Sequence, residues 1–403
     1  MWQAIKNIYH LLQASLASLY FGYPSKKLKI IGVTGTDGKT TTSQMIYEIL
    51  KAQGEKVSII SSIHAQIGDR SYDTGFHVTT PDPIALQKFL KQIVVEGSRY
   101  LVLEVTSHAL DQNRIFGVNF TIGVLTNITH EHLDYHKTYE NYLKSKAKLF
   151  QNTKASVLNA DDDSFPKIKK FIQGEIITYG INKKADISLK NFPINLKIPG
   201  EYNLYNGLAA AAATSRLGID KQLIIKNLSR FQGLTGRMER VDEGQDFTVI
   251  VDFAHTPNAL LNALKTLRLM SKSPKIRLIA VFGAAGERDK TKRPMMGKVA
   301  AENADISVIT AEDPRTEKVE DICTQIAEGF KQTGKKEGRS FYVVTDREKA
   351  IEFAINLARS GDIVATFGKS HEKSMCFGKK EYPWDEFKVV RQALKRKPND
   401  SKR

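Results

Sequence analysis

Lys39 and Thr40 close a run of evenly spaced glycines, Gly32-x-x-Gly35-x-x-Gly38, within "IIGVTGTDGKTTT". Backbone N–H groups over residues 35–40 at a helix start would cradle phosphate. The lysine would reach the β- and γ-phosphates, and the threonine hydroxyl would sit on Mg²⁺. The spacing departs from the usual G-x-x-x-x-G-K-[ST] loop, because Val33 stands five residues before Gly38. A glycine turn with a chance lysine is the plainer alternative, and the coincidence of strand, glycines, Gly-Lys-Thr and helix argues against it. Glu104 ends the apolar run "YLVLE". An unpaired carboxylate is costly there, but a phosphate-loop protein holds its Mg²⁺ with an acid at the end of a neighbouring strand. A capping carboxylate is the alternative, and His108 alone reads equally as a core histidine. "TNITHEHLDYH" gathers His130, Glu131, His132, Asp134 and His136 after a strand. It is not a helical H-E-x-x-H, and its oxygen-rich company suits Mg²⁺ better than zinc. A solvated polar loop is the plainer alternative.

These residues need elements to hold them. "LKIIGVT" (28–34) reads as a buried strand, followed by the loop and a helix from about Thr40 to Ala52. Further strands are expected at "KVSII", "YLVLEV", "TIGVLTNI" and "KASVLNADDD", with a helix in "PGEYNLYNGLAAAAATSRLG". Such alternation predicts a mainly parallel sheet with helices on both faces. A second series, "FTVIVDFA", "IRLIAVFG", "DISVIT", "SFYVVTD" and "DIVATFG", follows "GLTGRMERV". The expected class is α/β: a phosphate-loop central domain over 28–233 and a C-terminal Rossmann-like α/β domain over 234–403. Residues 1–27 form an amphipathic helical segment in which Trp2, Ile5, Ile8, Tyr9, Leu12, Leu16, Leu19 and Tyr20 recur at helical spacing. Lys6, His10 and Gln13 interrupt any signal-peptide core. The favoured reading packs this helix against the next domain rather than laying it in a membrane surface.

The 403 residues carry 60 Lys and Arg against 44 Asp and Glu, a net charge of +16. Nucleic acid, anionic lipid or anionic substrates such as nucleotides would suit that balance. No RNA-binding signature or zinc-ligand cluster accompanies it, so nucleic acid is not expected. The dense run "KRKPNDSKR" (395–403) reads as a solvated tail. Two cysteines, Cys323 and Cys376, build no disulfide framework and fit a reducing compartment. No stretch approaches the roughly 20 apolar residues of a membrane span, and a cytoplasmic location is expected.

The motifs "GVTGTDGKTTT", "TTPDP", "EVTSHALDQNR", "TNITHEHLDYH", "SKAKLF", "PGEYNLYNGLAAAAA", "GRMERV", "VDFAHTPNAL", "FGAAGERDKTKRPMMG", "EDPRTE" and "GKSHE" occur in one order. Together, over about residues 28–390, they resemble the Mur ligase family, MurE type, the UDP-N-acetylmuramoyl-dipeptide:amino-acid ligases of peptidoglycan synthesis. The resemblance implies ATP-dependent amide formation through an acyl phosphate. It implies ATP contacts at Gly35, Thr36, Asp37, Gly38, Lys39, Thr40 and Thr41, with Asn206 from the central domain and Arg237, Asp252 and His255 from the C-terminal one. It implies Mg²⁺ on Thr40, Glu104, His132 and a carbamate formed on Lys146, a residue that is otherwise a surface lysine in a Lys-rich helix. Thr79, Thr80, Ser107, Gln112 and Arg114 match contacts to the UDP-muramoyl-peptide; the plainer alternatives are turn hydroxyls and a solvated arginine. Arg288, Arg315 and Glu372, with Glu312, Asp313 and Gly368 beside them, match the amino-acid site. Enzymes of this type that use meso-diaminopimelate carry Asp-Asn-Pro-Arg, where this chain reads Glu312-Asp313-Pro314-Arg315. Arg315 leans toward diaminopimelate, while Asp313 adds negative charge that would favour a more cationic amino acid.

There are departures. About 27 residues precede the first strand, where the family has a UDP-gripping domain; either the UDP end is held differently or the acceptor lacks UDP. Asp37 stands for Asn, Glu131 for Asp, Phe253 for Tyr, Ala284-Ala285 for Cys-Gly and Ser370 for Gly. A relative of folylpolyglutamate or cyanophycin synthetases acting on a UDP-free acceptor is the competing enzyme reading; "EVTSHALDQNR", "HLDYH" and "EDPR" favour the MurE type. A non-catalytic scaffold on a decayed ligase fold is the other, and the retained Lys39, Thr40, Glu104, His132 and Lys146 argue against it.

Overall fold

The structure, a computed structural model, describes residues 2–72, 79–271, 273 and 275–397; the side chains of Trp2 and Ala4 lie outside that set. The chain forms two compact units, one of residues up to 129 with 136–232, the other of 130–135 with 233 onward.

The first unit is built on nine strands: β1 (Lys29–Thr34), β2 (Val57–Ile60), β3 (Ala65–Ile67), β4 (Arg70–Tyr72), β5 (Tyr100–Glu104), β6 (Phe120–Leu125), β7 (Ala155–Asn159), β8 (Glu175–Gly180) and β9 (Ile187–Ser188). Their order is β4-β3-β2-β5-β1-β6-β7-β8-β9. All neighbours are parallel except the β2-β3-β4 meander at one edge. The central strands are buried along their length, which is why β1, β5 and β7 read as unbroken apolar runs rather than alternating ones. Register places Val33 opposite Glu104 and Thr34 opposite Leu125. The carboxyl ends of β5, β1 and β6 therefore stand in a row, which delivers Glu104, the glycine loop and Thr126-Asn127 to one place. Leu208–Ala213, in the helix Glu201–Arg216, is wholly buried, its alanines allowing close backbone approach.

The N-terminal helix, Trp2–Tyr20, departs from expectation. Its small residues Ala14, Ala17 and Ser18 are buried, and Asn7 Nδ2 donates to Asp111 Oδ2 at 3.3 Å. Gly117 fits closely there, since a Cβ on it would lie 2.3 Å from Ser18 Oγ. That approach admits no leucine or isoleucine. Ile5, Ile8, Tyr9, Leu12, Leu16, Leu19 and Tyr20 accordingly face outward, each more than half exposed. The helix is packed, but by its small side and not by its apolar stripe; Trp2, also assigned to that stripe, has its side chain outside the described residues. Among the described residues no helix is long and apolar enough to cross a membrane.

The second unit holds β10 (Glu239–Val241), β11 (Thr248–Asp252), β12 (Leu278–Phe282), β13 (Ile306–Ile309), β14 (Phe341–Val343) and β15 (Ile363–Phe367), in the order β10-β11-β15-β12-β13-β14. Only β10 is antiparallel. A hairpin, β16 (Ser374–Phe377) with β17 (Lys380–Pro383), and a helix, Glu386–Arg396, follow. The expected α/β class with two sheets holds. The basic run at 395–403 is partly anchored: Lys395 and Arg396 end the last helix, and Lys397 Nζ donates to Ile355 O (2.7 Å) and Ala358 O (2.6 Å), capping the helix Arg347–Leu357. This corrects the reading of that run as wholly a solvated tail; residues 398–403 lie outside the described residues.

Candidate active site

In the first unit the glycine loop joins β1 to the helix Lys39–Ala52. Gly35 carries φ 154° and packs so closely that a Cβ would meet Thr126 Oγ1 at 1.8 Å. Two residues after β6 fix the loop. Asn127 Oδ1 accepts from Asp37 N (3.0 Å), and Thr126 Oγ1 donates to Asp37 O (2.6 Å). Thr36 Oγ1 accepts from Thr129 N and bonds the Tyr142 hydroxyl at 3.1 Å. Lys39 Nζ donates to Gly35 O (3.1 Å) and Thr36 O (2.9 Å). Asn206 reaches the same helix start, accepting from Thr42 Oγ1 at 3.3 Å, and Thr41 is buried beside it in sequence.

Thr40 Oγ1 lies 3.2 Å from both carboxylate oxygens of Glu104 and 3.0 Å from Ser62 Oγ. Glu104 is 1% exposed and also accepts from Ser62 N. One hydroxyl and one amide are thus its hydrogen-bond partners, with no cation among the described residues. A buried anion clustered with neutral oxygen donors is a fit for a hard divalent cation. Lys146 sits on the helix Tyr139–Ala147, 1% exposed, with Nζ donating to Gly35 O at 2.8 Å and lying over the Tyr142 ring. Burial, helped by the nearby Lys39 charge and opposed by Asp37, drives its amine well below the usual lysine range. His132, the fourth expected metal ligand, belongs to residues 130–135 of the second unit, where it adopts φ 59° beside Glu131. Among the described residues no three His, Cys, Asp or Glu side chains converge as a metal cluster.

The residues matched to the acceptor lie on the same edge of this sheet. Thr80 Oγ1 donates to Glu104 O and accepts from Thr106 N, and Arg114 Nη1 donates to Thr80 O at 2.9 Å. Ser107 opens the short helix Ser107–Asp111, which Gln112 caps, and Thr79 is half-buried next to Thr80. Ser107 Oγ bonds His136 Nε2 at 3.0 Å. Burial, only partly offset by Asp111, pushes His136 down to about 4, so it is neutral at pH 7.

In the second unit four adjacent parallel strands, β11, β15, β12 and β13, deliver their carboxyl ends to one rim. Asp252 ends β11 and accepts from Met238 N (2.8 Å) and Ala254 N (2.9 Å). Its burial raises its carboxyl against the pull of Arg237. Arg237 stacks on Phe253 at 4.6 Å, and the Phe253 and His255 rings meet at 4.7 Å. After β12 the loop carrying Arg288 is held by Gly286 N donating to Asp313 O (2.8 Å), where a Cβ on Gly286 would lie 1.9 Å from Pro314 O. The fully buried Arg293 ties the same loop through a two-pronged pair with Glu317, at 2.9 and 3.0 Å. Burial lowers the Arg288 guanidinium, as does neighbouring Arg315. Arg315 Nε is buried without a hydrogen-bond partner among the described residues.

Lys369 was not singled out in the sequence, yet it organises this rim. It is fully buried, and Nζ donates to Asp313 Oδ1 (2.8 Å) and Glu372 Oε2 (2.6 Å). Burial alone would lower it; the two carboxylates hold it above the usual lysine range. The extra charge of Asp313 is thus met inside the protein. The one available signal was a lysine following directly on the apolar strand "DIVATFG". Ser62, Tyr142 and Arg293 were missed as well; only Tyr142 had a local mark, standing one helical turn before Lys146.

Glu312 is buried, with Oε2 unpartnered among the described residues and Gly368 leaving it room; a Cβ there would come within 2.7 Å. Burial pushes its carboxyl up to about 7, against Lys292. Between the ordinary value of 4.5 and about 7 the folded chain holds a proton that the unfolded chain releases. Its contribution is therefore full below pH 4.5 and lost as pH rises to 7. Glu312→Gln should abolish that loss. In denaturant unfolding at pH 5 and pH 7.5, the mutant should gain on the parent by up to about 3 kcal/mol at the higher pH; parallel pH profiles would show that Glu312 titrates normally.

Comparison with known proteins agrees with this geometry. The Mur ligase middle domain matches residues 33–214, and the Mur ligase glutamate ligase domain matches residues 236–370. A Clostridium acetobutylicum protein, UDP-N-acetylmuramoyl-L-alanyl-D-glutamate--2,6-diaminopimelate ligase 1, is 38% identical over 402 residues, covering 95% of this chain and 81% of its own. The Geobacillus kaustophilus ligase of that name is 38% identical over 410 residues, with 95% and 82% covered. A solved 2,6-diaminopimelate ligase superposes with TM-score 0.59 at 32% identity, over 91% of this chain and 78% of that one. Mycobacterium tuberculosis folylpolyglutamate synthase shares the fold, with TM-score 0.71 at 15% identity over 96% of both chains. Two domains matched in sequence order, and relatives alike along nearly the whole chain, make this protein a member of the Mur ligase family, an ATP-dependent acid–amino-acid ligase of the MurE type.

Proposed function

We propose that this enzyme attaches meso-diaminopimelate to UDP-MurNAc-L-Ala-D-Glu in peptidoglycan synthesis. The observation that carries the choice of amino acid is the rim of the second unit. Arg315, whose buried Nε has no hydrogen-bond partner among the described residues, and Arg288 offer cations to carboxylates, while Lys369 neutralises Asp313. A substrate with two carboxylates suits that charge balance better than one with an extra amine. Diaminopimelate is also what the relatives above are named for.

The chemistry is a double displacement. An acceptor carboxylate oxygen attacks the γ-phosphorus of ATP, and the bond to the β–γ bridging oxygen breaks to release ADP. The amine of the amino acid then attacks the acyl carbon, the C–N bond forms, phosphate leaves, and the nitrogen gives up a proton. Mg²⁺, for which Thr40, Glu104 and a carbamate on Lys146 would be the ligands in the first unit, would supply neutralisation of the gathered anions. The loop amides from Gly35 to Thr41 and Lys39 bind phosphate. Arg114 orients the acceptor through Thr80, and Asn206 holds the nucleotide at the helix start. The reaction belongs in the cytoplasm, where its nucleotide substrates are.

The test offers ATP, Mg²⁺ and UDP-MurNAc-L-Ala-D-Glu with a panel of amino acids, reading phosphate release and product mass. Product with meso-diaminopimelate is expected, with Arg315→Ala raising its KM by on the order of tenfold or more. No product with any amino acid, but turnover on a UDP-free acceptor, overturns the assignment.

A further inference from the structure

The N-terminal helix carries an apolar stripe that the first unit leaves bare. From Ile5 to Tyr20 its large side chains, Leu12 and Leu16 in the middle, stay between 53% and 84% exposed. At 100° per residue they fall within an arc of about 120° along a helix roughly 28 Å long. The opposite face is pinned by Ala14, Ala17 and Ser18, so the stripe has no route inward. Single exposed apolar residues are ordinary; a continuous stripe marks a surface that something covers.

Charge indicates what does. The helix contains no acidic residue. Lys6 is exposed near its start, and Lys26 and Lys27 are exposed in the turn that follows its end. The helix Pro83–Val95, which flanks it, exposes Lys88 and Lys91 between Ile84 and Val95, against Asp82 and Glu96 at its two ends. A second copy of the chain would bring the same cations to the same stripe, on a molecule of net charge +16. An anionic bilayer surface offers hydrocarbon to the stripe, opposite charge to the lysines and an interfacial position to Tyr9 and Tyr20. We propose that this helix docks the enzyme in the plane of an anionic lipid membrane, apolar stripe down, without spanning it. The inference is independent of which amino acid is ligated.

Co-sedimentation of the full chain with vesicles tests this. Binding is expected to vesicles containing phosphatidylglycerol, weakening with added salt, and to be poor with phosphatidylcholine alone. The double variant Leu12→Glu/Leu16→Glu, both sites well exposed, should lower vesicle affinity by on the order of tenfold or more. Its melting temperature and its ligation in solution should match the parent. Lys6→Gln/Lys26→Gln/Lys27→Gln should remove the preference for phosphatidylglycerol. Absence of binding to anionic vesicles, or binding indifferent to Leu12→Glu/Leu16→Glu, overturns the proposal. So does a concentration-dependent dimer broken by that pair, which would assign the stripe to a second copy.

Discussion

Lys146→Ala should lower ligation by on the order of a thousandfold or more, with partial recovery when formate or acetate is supplied. The argument starts from burial. Lys146 is enclosed, its only hydrogen bond among the described residues goes to Gly35 O, and desolvation beside Lys39 favours the neutral amine. A neutral amine is the form that attacks CO₂. The C–N bond forms, one C–O double bond opens to an oxyanion, and the nitrogen releases a proton. The product would be an anion placed at the glycine loop, where an ammonium would be a cation. Truncation to alanine removes that anion and leaves a space a small carboxylate can occupy. Phosphate release and product mass measure the loss, and a carbamate carbon signal from ¹³CO₂, present in the parent and missing in the variant, separates this from a packing defect. Ligation at the parental rate would remove Lys146 from the site.

The second large effect is on stability. Arg347 and Glu386 form a fully buried pair, Nε to Oε2 at 2.9 Å and Nη2 to Oε1 at 2.6 Å. Arg347 also donates to Ala311 O and Phe367 O, and Trp384 Nε1 donates to Glu386. Glu386→Ala would leave the guanidinium buried without its counter-charge. Loss of one partner of such a pair costs about 3–5 kcal/mol, and denaturant unfolding should show it. Because Ala311 and Phe367 directly precede Glu312 and Gly368, the damage should reach that rim first and, if the rim holds the amino acid as proposed, raise KM for the amino acid before kcat falls. A stability within about 0.5 kcal/mol of the parent would mean the pair is replaceable by solvent.

Much of this architecture was legible. The apolar runs at Ile30–Val33, Leu101–Leu103, Val249–Val251 and Leu278–Val281 declare central strands, and each ends where a motif begins. The short strands were not. Arg70–Tyr72 and Lys380–Pro383 are polar and at least partly exposed, and they exist through pairing that no local pattern encodes. The N-terminal helix was legible as a helix and misread in orientation, because an apolar stripe ordinarily faces a core and here close approach at Gly117 decides otherwise. In the site, Lys39, Thr40 and Glu104 came from spacing. The pairing of Lys369 with Asp313 spans 56 positions and that of Arg347 with Glu386 spans 39; neither separation leaves a trace in sequence.

One carbonyl oxygen has two suitors. Gly35 O receives both Lys39 and Lys146. A carbamate on Lys146 would keep one N–H on its nitrogen and add two acceptor oxygens, so it would bring negative charge to the oxygen that Lys39 also serves. Phosphate bound at the loop would compete with that anion for Lys39. Carbon dioxide and ATP would then be thermodynamically linked ligands of one loop, and whatever factor one applied to the other's affinity would be returned in full.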